Sequence, residues 1–157
     1  MSCDVAIAAF LMFTSAPNAP PVQPAPAVAA APIPVAQDPF FKDIVARAGG
    51  LKGQVEAYRT ALGQSVTPIP LNGFDTFTTQ ISQLSVLDQQ GHVILAARGT
   101  DGDLKCILHG ISQDLPLKLA AVGAAKTGHD QDLALRDLAY LLNDNVEVIT
   151  APPAPPV

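Results

Sequence analysis

Apolar residues follow two different spacings along this chain, and each predicts a different kind of element. Between His92 and Gly110 they come as two runs, Val93–Ala97 and Leu104–Leu108, the second broken only by Lys105. Arg98 to Asp103 lie between them and bring two glycines and two aspartates of the kind that close a β-hairpin. If Ala97 faces Leu104, strict alternation places Leu95 opposite Cys106 and His92 opposite His109. One face of this hairpin, with Val93, Leu95, Ala97, Leu104, Cys106 and Leu108, is wholly apolar and is the expected core face. The other carries His92, Ile94, Ala96, Lys105, Ile107 and His109, a mixed surface that calls for partial cover.

Elsewhere the spacing is three and four residues, which predicts helices. The first is expected to open at Pro39 behind Asp38 as cap, and to stop at Gly49 and Gly50. Leu51, Val55, Tyr58 and Leu62 predict a second, ended by Gly63. Asn72 is placed to cap a third, in which Phe74, Phe77, Ile81, Leu84 and Leu87 recur; its opposite face is uncharged apart from Asp75. Asp114 and Asp130 are placed to cap two more, the last with so many apolar positions that it is expected to lie across the hairpin. Asn143 to Asn145 read as a turn, and Val146 to Thr150 as a third strand. The expectation is therefore an α+β fold, a small antiparallel sheet of hairpin plus C-terminal strand packed against several helices.

The ends change the picture. Residues 1–16 contain an apolar run, Val5 to Phe13, followed by small residues, as in a secretory signal; yet Asp4 precedes it and no lysine or arginine occurs before Lys42. The run is too short to span a bilayer, although membrane association through it remains open. Cytoplasmic and exported locations both fit. Residues 17–38 are rich in alanine and proline and read as an extended spacer, 39–150 as a single folded domain, and 151–157 as a second proline-rich tail. The formal charge of the 157 residues is −5, with no cluster of lysine or arginine, which excludes a phosphate-neutralising stripe and with it nucleic acid as a partner.

Candidate chemistry is sparse. In the hairpin register His92 and His109 share one face, within reach of one metal ion, and Asp88 adds a carboxylate if its turn folds back. Asp101, Gly102 and Asp103 open like a calcium loop, but Ser112 stands where the closing glutamate belongs. Lys126 to His129 lack the upstream glycines of a phosphate loop. No serine has a nucleophile-elbow frame. These readings favour a non-enzymatic interaction or accessory subunit without a cofactor, binding another protein or a second copy of itself while its arms tether or embrace the partner. Ile94 and Ile107 are the expected contacts. A metal-binding or hydrolytic domain centred on the histidine pair is one alternative, and a small-ligand module around Tyr140 is another.

Overall fold

The computed structural model of this chain describes residues 33–99 and 102–152. It contains a short 3-10 turn, Val35–Gln37, and four long helices: α1 (Pro39–Leu62), α2 (Phe74–Arg98), α3 (Gly102–Ala124) and α4 (Gly128–Thr150). There is no strand among the described residues, so the α+β expectation is wrong and the domain is all-helical.

The reason lies in which residues occupy the inner face of each helix. In α1 the buried residues are Phe41, Ile44, Ala48, Leu51, Val55, Tyr58 and Leu62, a spacing of three and four that runs unbroken past Gly49 and Gly50. Each glycine costs a helix about 1 kcal/mol, less than the continuous burial on the other side returns, so the two expected helices are one. Asp38 caps it, its Oδ1 accepting from Phe40 N–H at 2.9 Å, and the Arg98 guanidinium pairs with the same carboxylate and holds it below the usual aspartate range.

Helix α2 buries Phe77, Ile81, Leu84, Asp88, Gly91 and Leu95. Asp88 and Gly91 interrupt the apolar pattern and imitate a turn, yet they sit in register with the core positions on either side. Its amino end is Gly73, at φ 71°, rather than Asn72. The expected hairpin is instead a helical hairpin, α2 and α3 joined through residues 99–101. Its supposed core face divides: Leu95, Leu104 and Leu108 are buried, whereas Val93, Ala97 and Cys106 are exposed.

Helix α3 begins at Gly102 and not behind Asp114, so Pro116 lies inside it. Proline has no N–H for the Ser112 carbonyl four residues back. That carbonyl instead accepts the Ser85 hydroxyl of α2 at 2.7 Å. Helix α4 is capped by Thr127, whose hydroxyl accepts from Asp130 N–H at 3.0 Å. It runs on through the expected turn and strand because Leu135, Leu138, Leu142, Asn145 and Ile149 keep one helical face.

Helix α4 packs along α1 and α3, and α3 along α2; α1 and α2 touch much less. The side of α2 turned away from α3 is therefore largely open. The start of α4 is anchored on the α1–α2 connection, where Gly128 N–H donates to Val66 O at 3.0 Å and the Gln131 amide both donates to and accepts from the Ile69 backbone, at 3.0 and 2.9 Å.

Candidate interaction surface

Between Asp75 and Arg98 the only aspartate, glutamate, lysine or arginine of α2 is Asp88, and Asp88 is completely buried. The outer face of this helix therefore carries no formal charge for most of its length. Along it run Ser82, Val86, Gln90, Val93 and Ala97, all exposed; Val86 and Val93 are 56% and 57% exposed. Helical spacing alone places these five side chains in one stripe. Beside it, toward α1, a cleft of about 480 Å³ is lined by Thr79, Ser82, Gln83, Val86, Leu87 and Arg47. The Arg47 guanidinium is already engaged, with Nε 2.7 Å from the Asp43 carboxylate. Charged residues are normally depleted from the centre of a protein interface, where water must be displaced completely, and this face of α2 meets that condition.

The residues singled out from the sequence lie mostly elsewhere. Ile94 and Ile107, the expected contacts, are partly buried and packed against the core, whereas Val93, which the hairpin register places inside, is exposed. His92 and His109 do come together, with ring centroids 4.9 Å apart and planes at 34°, but from α2 and α3. They cannot be a cross-strand pair. The Nδ1–H of His92 donates to Lys105 O at 2.8 Å, and that of His109 to the Gln89 side-chain oxygen at 2.8 Å. The second nitrogen of His109 lies 3.1 Å from the Gln113 amide nitrogen, so both nitrogens of that ring are occupied. Asp88 does not join them; its carboxylate accepts from Asn145 in the core. Among the described residues no three histidine, cysteine, aspartate or glutamate side chains converge to hold a metal ion.

Tyr140 is exposed on α4 and borders a cleft of about 370 Å³ against α1, whose other walls include Lys52, Glu56, Arg59, Arg136 and Asn143. These polar groups satisfy one another or near neighbours. Lys52 Nζ donates to Asn143 Oδ1 at 2.8 Å, Arg59 Nε to Asp132 at 2.9 Å, and Arg136 to Asp137 at 2.9 Å. The Asp132 carboxylate raises the Arg59 pKa, and the Arg136 guanidinium lowers that of Asp137.

Among the described residues no helix is long and apolar enough to cross a membrane. None of these helices can therefore supply, by crossing a bilayer, the membrane association expected of this chain; residues 1–16, on which the expectation rested, lie outside the described residues. No protein-family model, no curated protein and no solved structure matches the chain.

Proposed function

We propose that the helical domain is a protein-interaction module, that its binding surface is the uncharged outer face of α2, and that the partner is a second copy of the same chain. The observation that carries this reading is the order of residues along the stripe. Ser82, Val86, Gln90, Val93 and Ala97 run small, valine, glutamine, valine, small, the same in both directions. A two-fold interface must be self-complementary. Two α2 helices laid antiparallel set Val86 of one copy against Val93 of the other, with the Gln90 amides, each both donor and acceptor, near the axis. Two copies each carrying −5 repel one another over most of their surfaces, and this face offers an approach without like charges.

The alanine- and proline-rich segments at the two ends act in this reading as tethers that hold or embrace the assembled pair. A chain beginning at Ile33 is expected to assemble more weakly than the full chain. Equal assembly would remove the arms from the proposal.

The test of the surface is the native mass of the full chain by sedimentation, beside Val86→Asp combined with Val93→Asp. The full chain is expected to be dimeric. The double variant, which sets carboxylates against one another at the seam, should keep its helical content and associate more than about 100-fold more weakly. A full chain that stays monomeric at high concentration, or an unchanged dimer in the double variant, would overturn the assignment of this face.

A further inference from the structure

The core holds a carboxyl group that no charged side chain neutralises. Asp88 of α2 and Asn145 of α4 are both completely buried, and Asn145 Nδ2–H donates to Asp88 Oδ2 at 2.7 Å. The remaining oxygen of each, Asp88 Oδ1 and Asn145 Oδ1, is buried with no hydrogen-bond partner. An ionised carboxylate and an amide carbonyl are both acceptors only, so while Asp88 is charged neither orphan can serve the other. One proton resolves both at once, since on Oδ1 it becomes the donor that the Asn145 carbonyl lacks.

The bundle contains a finished example of that pattern. Gln131, also buried, uses both atoms of its amide on the Ile69 backbone, donating at 3.0 Å and accepting at 2.9 Å. The Asp88–Asn145 pair shows one of the two bonds and the atoms for the second.

The surroundings favour the neutral acid. Helix α1 turns Phe41, Ile44 and Ala48 to the core, and α3 turns Leu104, Leu108, Ile111 and Leu115; none can ionise. The nearest titratable neighbours in sequence are His92 on α2, partly exposed, and Asp144 and Glu147 on α4, both exposed. His109 of α3 stands beside His92, and the α1 charges Asp43 and Arg47 pair with each other at the surface. Gly91, one turn beyond Asp88, lets α1 and α3 close in: a Cβ there would lie 3.1 Å from Phe41 Cε1 and Leu108 Cδ1. Burial drives the Asp88 pKa from 3.8 up to about 8, against the smaller opposing influence of the Asn145 hydrogen bond.

We propose that Asp88 is held as the neutral acid and forms with Asn145 a two-hydrogen-bond acid–amide clasp between α2 and α4 that opens when its proton is withdrawn. The clasp is an alkaline-sensitive latch on the helix that carries the proposed interaction face, and it stands whether or not that face binds a second copy. Its sign follows from linkage. Asp88 keeps its proton in the folded chain and loses it in the unfolded chain between 3.8 and about 8. Raising pH through that interval therefore favours unfolding, by up to about tenfold in the unfolding constant per pH unit.

The test is carboxyl ¹³C NMR of the full chain labelled at aspartate, together with denaturant unfolding across the same pH range. One aspartate resonance is expected to titrate near pH 8 and to vanish in Asp88→Asn. That variant keeps two hydrogen bonds as an amide–amide pair without needing a proton, so its unfolding constant should not follow the wild-type rise. If every aspartate in the wild-type spectrum titrates in the ordinary carboxylate range, the clasp is wrong, and that reading stands even if Asp88→Asn does not fold.

Discussion

Helices α2 and α4 are of similar length, yet they distribute their polar groups in opposite ways. Helix α4 shows water a charged exterior: Asp132 reaches Arg59 of α1 at 2.9 Å, Asp137 reaches Lys118 of α3 at 3.7 Å, and Asp144 and Glu147 are exposed. Inside it keeps neutral amides, Gln131 and Asn145. Helix α2 does the reverse, placing its one mid-helix carboxyl in the core and leaving valine, serine, glutamine and alanine outside. The charges of α4 fasten it to its neighbours and hold their hydration. The outer face of α2 holds water with nothing stronger than an amide, so a partner displaces that water at little cost. An uncharged helix face on an acidic domain, rather than a pocket or a cluster of ligands, is thus the feature on which the proposed self-association rests.

Four variants separate the inside of this contrast from its outside. The largest effect is expected for Asn145→Ala, which opens a void in the core and leaves Asp88 without its donor; denaturant unfolding should show a loss of about 3 kcal/mol. Gly128→Ala tests how α4 is anchored. A Cβ there would lie 1.8 Å from Ser65 O, so the backbone must shift, and the same measurement should register a cost of more than about 2 kcal/mol. Val86→Asp with Val93→Asp should leave monomer stability within about 0.5 kcal/mol, because both side chains are exposed, while changing the association state. The smallest effect belongs to Asp132→Asn. Its ion pair with Arg59 is partly solvated, with side chains 39% and 30% exposed; the loss should be under about 1 kcal/mol and shrink further in added salt.

The pattern that reveals α2 was partly legible in the sequence. The spacing of Phe74, Phe77, Ile81 and Leu84 predicts a helix there, and the absence of charge on its opposite face was visible beside it. The extent of the helix was not. Asp88, Gly91, Ser112 and Asn145 occupy buried positions but have the chemistry of turns and caps, so the apolar period broke where the helices continue. In the gaps, short apolar runs such as Val93–Ala97 fit a strand as well as a helix. Gly49 and Gly50 misled in the same way, since their outward side is open and the burial that holds α1 together lies opposite. The meeting of His92 and His109 was reached through the wrong element for a simple reason. Two segments joined by a short reversal bring together residues equidistant from it, whether they are strands or helices. Their sides are not preserved, and so Val93 moved from the expected core to the surface.

The most direct test of the contrast is disulfide trapping in the full chain with Cys3 and Cys106 replaced by serine, comparing Gln90→Cys on α2 with Asp144→Cys on α4. Both positions are exposed, so collision alone treats them alike. The antiparallel α2 seam predicts that Gln90→Cys is rapidly locked into a covalent dimer under mild oxidation while Asp144→Cys stays monomeric. Equal trapping at the two positions, or none at Gln90→Cys, would contradict it.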